Sequence, residues 1–239
     1  MDETAAPPAD PQPVLGAVFS DREILAARET GQIVIDPFVP ENVNSSSVDV
    51  RLANNFYRME GPDTQDTLNP MDEESVRSYY KGPFKGEPNA VWCAKHHRTP
   101  FRGLSPEHPI VVLRPHERVL AHTVESIGIR YRGTTLMKAR STLGRLGIVV
   151  CKDAGWGDTG YIRQWTMEIQ NDNNASVVLP YGMRVAQIVF FHMEAADIDY
   201  GLTGKYQQGT DPGELKQLWT PEAMLPKSYN DTLILPEDL

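Results

Sequence analysis

A chain of 239 residues, 40% apolar and 23% charged, carries enough apolar material for one large domain or two small ones, and excludes a fibre or a wholly disordered polymer. Its 23 Lys and Arg against 32 Asp and Glu leave a formal charge of −9, which excludes broad binding to nucleic acid or to anionic membranes, since both require a basic surface. No window reaches the roughly 18 uninterrupted apolar residues of a membrane span, and no basic-then-apolar leader opens the chain. Cys93 and Cys151 are the only cysteines, so a cytoplasmic protein with free thiols is expected.

Residues 1–15 are rich in Pro, Ala and Asp with few apolar anchors and read as a flexible tail, because they cannot bury enough surface to offset the entropy of ordering. The remainder, 16–239, reads as a single domain. Ser20-Asp21-Arg22-Glu23 has the form of a capping box, Phe19 and Ile24 have the spacing of a hydrophobic staple, and Gly31 closes the pattern, which predicts one short amphipathic helix. The runs 33–35 and 48–52 have the character of strands, divided by Pro37, Pro40 and Asn42. From about 60 to 108, Pro62, Pro70, Pro83, Pro88, Pro100 and Pro106 interrupt a polar, acidic stretch. That density of breakers predicts a long Pro-rich insertion on the surface with at most short helical pieces, such as 71–80.

Strand patterns return in 110–113, 119–121, 147–150, 166–169, 176–179 and 185–191. Many short strands separated by Gly, Pro and Asn turns predict a mainly β fold, a distorted β-barrel or jelly roll, rather than a parallel α/β sheet. The last stretch, from about 201 to 239, is polar with few strand signals and reads as a C-terminal arm.

The chemistry concentrates in Arg140-Ser141-Thr142-Leu143-Gly144-Arg145-Leu146-Gly147 and, about twenty residues on, in Trp165-Thr166-Met167-Glu168-Ile169-Gln170. Arginine forks and hydroxyls supply the donors that a polyanion such as a triphosphate requires, and the glycines permit close backbone approach. Glu168 lies between Met167 and Ile169 on an apparent strand. A carboxylate in partly apolar surroundings has its pKa raised towards the range where proton shuttling is efficient. An outward-facing strand glutamate and exposed arginine salt bridges are the plainer readings of the same residues.

These motifs, together with Ser20–Ile24, Ser46–Leu52, Asp153-Ala154-Gly155-Trp156, Tyr181–Gln187 and Gly204-Lys205-Tyr206-Gln207, occur in the order found in the trimeric dUTPase-like superfamily. Within it the chain resembles the dCTP deaminases. The resemblance implies a dUTPase-like (β-clip) barrel subunit, a homotrimer with active sites between subunits, and Mg²⁺ accompanying the nucleotide triphosphate. It implies that Glu168 is the general base that activates water for attack on C4 of cytosine, with Ser141 and Arg145 holding and polarising that water and the base. Arg140 and Thr142 would contact the triphosphate or the site, Asp153 the deoxyribose 3′-hydroxyl, Trp156 the base, and the backbone near Thr166 the pyrimidine edge. Lys205, Tyr206 and Gln208 would belong to the C-terminal arm that closes over the triphosphate. Between Gly155 and Glu168 the chain is about five residues longer than many deaminases, and 157–161 is read as the insertion.

The expected reaction is metal-free hydrolysis of dCTP to dUTP and ammonia. The alternatives are a bifunctional enzyme that continues to dUMP and pyrophosphate, a monofunctional dUTPase, or a non-catalytic nucleotide-sensing or protein-binding trimer. A zinc deaminase requires a Pro-Cys-x-x-Cys pair beside a His or Cys and a Glu, which this chain lacks. Cys93, His96 and His97 could seed a zinc site, but four protein ligands are the rule for a structural one, so no zinc is expected.

Overall fold

The computed structural model describes residues 17–59, 67–207, 209 and 211–233; the tail expected at 1–15 and Gln208 lie outside the described residues. Helix α1 (Asp21–Glu29) leads into β1 (Ile33–Asp36), β2 (Val43–Asn44) and the long β3 (Ser47–Met59). The next stretch holds α2 (Glu73–Tyr79), β4 (Tyr80–Lys85), β5 (Glu87–Pro88) and α3 (Asn89–Lys95). Then come β6 (Pro109–Leu113), β7 (Arg118–Ile129), β8 (Gly133–Ala139), α4 (Ser141–Arg145), β9 (Ile148–Val150), β10 (Trp156–Gly157) and β11 (Arg163–Asn171). The described chain continues through β12 (Val177–Pro180), β13 (Arg184–His192), α5 (Tyr200–Thr203) and α6 (Pro212–Leu218).

The N-terminal helix forms for the reason its sequence predicts. Ser20 Oγ accepts from the Glu23 N–H at 3.4 Å while the Glu23 carboxylate accepts from the Ser20 N–H at 2.8 Å, satisfying two helix-end donors at once. Its buried Ile24 and Ala27 join the core beside Phe19.

Among the described residues, ten strands form one sheet in the order β10-β8-β13-β3-β7-β11-β9, with β1 added on β7 and β2 and β4 on β3. A second sheet runs β12-β6-β5. The larger sheet curls because β3 serves both of its halves. Its first part pairs with β13 through Val48↔Ile188, and its later part pairs with β7 through Phe56↔Ala121, with the register broken between Leu52 and Phe56. Such a break bends a strand and increases its twist, so one long strand turns the corner of a distorted barrel.

The insertion is less loose than its prolines suggest. Helix α2 appears within the expected 71–80, but β4 then pairs with β3 through Phe56↔Phe84 and Met59↔Tyr80, and β5 pairs with β6. In α3 the Asn89 side chain is buried, accepting from the Phe101 N–H at 2.9 Å and donating to the Phe101 carbonyl at 3.0 Å. Pro83 and Pro88 lie within β4 and β5 themselves, and these short elements lack the long alternation that would have announced them.

The core is the inner face of the curled sheet. Val48, Val50, Ile127, Ile129, Met137, Met167, Ile169, Ile188 and Phe190 are all buried there, with Leu143 of α4. Phe190 is fully buried and meets Phe19 edge-on with ring centroids 6.5 Å apart. Truncation at such a site loses transfer energy and leaves a cavity. Phe190→Ala should therefore lower unfolding free energy by about 3–5 kcal/mol in a denaturant titration; a loss below about 1 kcal/mol would show that this ring is not part of the packed core.

Candidate active site

Strand β11 places its residues on two faces by alternation. Trp165, Met167, Ile169 and Asn171 are buried, whereas Thr166, Glu168 and Gln170 are half-exposed. The first set fills the core, so Thr166 and Glu168 point to the opposite side. There they line a cavity of about 470 Å³ with Met59, Tyr80, Arg118, Trp156, Asp158 and Arg163. Tyr206 and the segment bearing Trp219, Met224 and Pro226 also line it. Tyr57, Leu120, Met224 and Leu225 form a small second core beneath that segment. Trp219 packs on His122 with ring centroids 4.2 Å apart. Burial pulls the His122 imidazole down to about 4, so it is neutral at neutral pH and a charge-free platform for the indole.

Burial raises the Glu168 carboxyl above the ordinary carboxylate range, against the opposing pull of its own backbone N–H, the Cys151 thiol and the Arg118 guanidinium. Desolvation outweighs these stabilising contacts, which moves the carboxyl in the direction that favours proton transfer. Cys151 continues the β9–β11 ladder: its N–H donates to the Glu168 carbonyl at 3.1 Å, and Sγ lies 3.7 Å from the Thr166 carbonyl. The thiol is wholly buried, and burial pushes its pKa well above the usual thiol value. Tyr80, from the insertion, is held neutral in the same cavity; burial and then the neighbouring Tyr79 push its hydroxyl up to about 12.

The Arg140–Gly147 motif lies apart from this cavity. Arg140 is the residue before α4, with its Nε 3.1 Å from Asp49 Oδ2, and Arg184 Nη1 reaches the same oxygen at 3.1 Å. Asp49 is only 1% exposed, so one buried carboxylate fixes the two guanidinium groups at the head of the motif, and removing it would leave both without that partner. Ser141, Thr142 and Arg145 are exposed on α4 and do not line the cavity. Gly147 ends the motif at φ +68°, where an added Cβ would fall 2.7 Å from the Asn173 side chain; that side chain bonds the Leu146 carbonyl at 2.7 Å.

Of the remaining expected residues, Trp156, 60% exposed, and Thr166 line the cavity, whereas Asp153 does not. Asp158 does, and it begins Asp158-Thr159-Gly160-Tyr161, a second copy of the acid-x-Gly-aromatic pattern five residues after Asp153-Ala154-Gly155-Trp156. Tyr161 packs edge-on against Trp165 at 5.1 Å and Tyr200 at 5.3 Å. Lys205 is exposed and paired with Asp231, beside Tyr206. Gln207 is the clip that holds this segment: its Nε2 donates to the Gly160 carbonyl at 2.7 Å, and its Oε1 accepts from the Ile162 N–H at 2.8 Å. Tyr80, Arg118, Asp158 and Arg163 thus line the site without having been singled out from the sequence, and Gln207, quoted there within the Gly204–Gln207 motif, supports it. Of the four, Asp158 carried a signal in the repeated pattern.

Among the described residues, no group of three or more His, Cys, Asp or Glu side chains is arranged to hold a metal ion. Cys93 bonds Asn89 Oδ1 at 3.5 Å, and His96 stacks on Trp92 at 3.9 Å. No described helix is long and apolar enough to cross a membrane.

Residues 18–193 match the family described as dCTP deaminase-like. A protein of Bifidobacterium adolescentis named "dCTP deaminase, dUMP-forming" is 30% identical over 195 residues, covering 80% of this chain and 89% of its own. One of the same name from Aquifex aeolicus is 32% identical over 200 residues, covering 83% and 94%. The crystal structure of a 2′-deoxycytidine 5′-triphosphate deaminase from Agrobacterium tumefaciens superposes with TM-score 0.51 at 19% identity, over 74% of this chain and 48% of that one. This chain thus spans about half of the Agrobacterium chain, and the likeness is one of fold.

The sealed, high-pKa thiol beside Glu168 has a direct readout. In native protein at about pH 7.5, Cys151 should resist iodoacetamide, because thiolate is the reacting species, and it should be alkylated once the chain is unfolded. Labelling of the Cys151 peptide in the native state within minutes would contradict the burial.

Proposed function

The chain belongs to the dCTP deaminase-like family, and from that premise we propose that it replaces the C4 amino group of dCTP by oxygen, then cleaves the α–β phosphate bond. One dCTP and two waters give dUMP, ammonia and pyrophosphate. The observation that carries the first step is Glu168, held half-buried on the cavity face of β11 with its carboxyl pushed up by desolvation. The support for continuing to dUMP is the shared name of the relatives from Bifidobacterium and Aquifex.

Glu168 takes a proton from the water that attacks C4 and passes it to the departing amino group, so ammonia leaves rather than an amide anion. The backbone at Thr166 lies along the same wall to read the pyrimidine edge, and Trp156 offers an aromatic surface at the mouth. Asp158, which lines the cavity where Asp153 does not, is the carboxylate placed for the 3′-hydroxyl. Giving that role to the second acid-x-Gly-aromatic copy also removes the apparent five-residue insertion, since the two copies are five residues apart. Mg²⁺ would arrive held by triphosphate oxygens and would neutralise phosphate charge.

Ser141, Thr142 and Arg145 belong to the same chemistry but stand exposed outside the cavity of their own chain. A homotrimer in which α4 of one subunit faces the Glu168 cavity of the next unites the two halves. Arg140, fixed by Asp49, and the Lys205–Tyr206 segment then serve the phosphates, with the C-terminal arm closing the site.

Incubation with dCTP and Mg²⁺ should yield ammonia, pyrophosphate and dUMP in equal amounts; dUTP with ammonia alone would limit the enzyme to the first step. Glu168→Gln should lower ammonia release by about 10²–10⁴-fold, the usual contribution of general acid-base catalysis, while nucleotide binding persists. The same variant has a stability signature. The native pKa of Glu168 is raised, so ionising it in the fold is penalised: no penalty exists below the ordinary value of 4.5, and it grows as pH rises through the native value. Glu168→Gln should therefore melt higher than wild type at about pH 8, and the gain should vanish below about pH 4. Unchanged turnover would refute the role of Glu168.

A further inference from the structure

Two cations near the cavity have no part in the chemistry described so far. Arg163 opens β11 and lines the cavity. Its Nη1 donates to the Tyr206 carbonyl, but its Nε is sealed from solvent with no hydrogen-bond partner. Lys227 follows Pro226 of the cavity lining. Its N–H donates to Tyr206 Oη at 3.2 Å, its Nζ donates to the Lys205 carbonyl at 3.4 Å, and Nζ lies 5.7 Å from the centre of the Tyr206 ring.

Arg163, Lys227 and Lys205 thus gather around one tyrosine. Lys205 has Asp231; among the described residues no carboxylate lies within ion-pairing distance of the other two. The cost of that arrangement shows in both groups. Burial and then Arg163 and Arg77 hold the Lys227 ammonium below its ordinary pKa, and burial lowers that of Arg163. Crowded, partly desolvated cations with an unused N–H are unfavourable alone and become favourable when an anion supplies acceptors.

We propose that Arg163 and Lys227, gathered beside the Lys205–Tyr206 segment already given to the phosphates, are two further cations that grip the polyphosphate tail of the substrate. The placement supports this in length as well as charge. Arg163 precedes Glu168 by five residues, about 16 Å of strand at ~3.3 Å per residue, the scale of an extended nucleoside triphosphate lying along β11 with its base at Glu168. Neither Arg163 nor Lys227 falls in a motif that carries the family resemblance. The assignment rests on the dCTP reading and adds to it which residues grip the phosphates.

The test compares wild type, Arg163→Gln, Lys227→Gln and the charge-keeping Arg163→Lys for steady-state turnover of dCTP and for calorimetric binding of inorganic tripolyphosphate. Losing one charge-assisted contact corresponds to roughly a tenfold to hundredfold weakening. KM for dCTP should rise by about that factor in each Gln variant, with the loss falling on KM more than on kcat. Tripolyphosphate affinity should fall in parallel, and Arg163→Lys should recover part of both. Wild-type turnover with KM and tripolyphosphate affinity unmoved in the folded Lys227→Gln protein would overturn the subsite and leave the deaminase reading intact. A wild type that binds tripolyphosphate through these residues but releases no ammonia from dCTP would sustain the subsite and refute that reading.

Discussion

Alternation along β11 is the constraint on which the rest of the molecule depends. Trp165, Met167 and Ile169 must enter the core, and a strand that commits those side chains inward has no choice about Thr166 and Glu168. The carboxylate therefore stands on the far face of the sheet, where the elements packed over it decide its chemistry. Tyr80 from the insertion, Trp219 and Met224 from the C-terminal segment, and Arg118 from β7 close around it. Enough water is removed to raise its pKa, and one guanidinium remains near enough to oppose the rise. A one-residue slip of β11 would bury Glu168 in hydrocarbon and expose Met167, so packing alone selects the register that leaves Glu168 in the cavity.

Charge is handled differently at the two places where it matters. Asp49 sits inside the sheet and binds Arg140 and Arg184 together, an ion-paired anchor that orients the head of α4. Around Tyr206 the balance is reversed, with cations outnumbering carboxylates. In the first, a buried carboxylate already pairs both guanidinium groups; in the second, the proposed anion supplies the acceptor that Arg163 Nε lacks. A chain with a net charge of −9 can hold a triphosphate only through such a local excess. The wider field repels the substrate, and short-range donors in a desolvated cleft must overcome it.

Much of this was legible in the sequence because it rests on local rules. The capping box at Ser20–Glu23, the strand patterns and the two-faced character of 165–169 follow from backbone period and side-chain type alone. Tyr80, Arg118 and Arg163 were not legible, because their place at the cavity comes from strand pairing and from packing of the C-terminal segment. The insertion was read as surface because prolines dominate its pattern; its strands are too short to alternate, yet β4 and β5 each pair with a longer neighbour. The acid-x-Gly-aromatic pattern occurs twice; the resemblance was placed on the first copy, which required an insertion at 157–161, while the cavity contains the acid of the second.

Within a single chain Glu168 lines the cavity and Ser141 and Arg145 do not, so the proposed site requires a second subunit. The most direct measurement reassembles two inactive proteins, Glu168→Gln and Arg145→Ala, from dissociated subunits and assays ammonia release from dCTP. If the site is made by neighbouring subunits, random mixing restores intact pairs at about one quarter of the sites, because each pairs Glu168 from one chain with Arg145 from the next. Activity near a quarter of wild type is the expected result. Mixed assemblies that form but stay as inactive as their parents would contradict the division of the site between subunits.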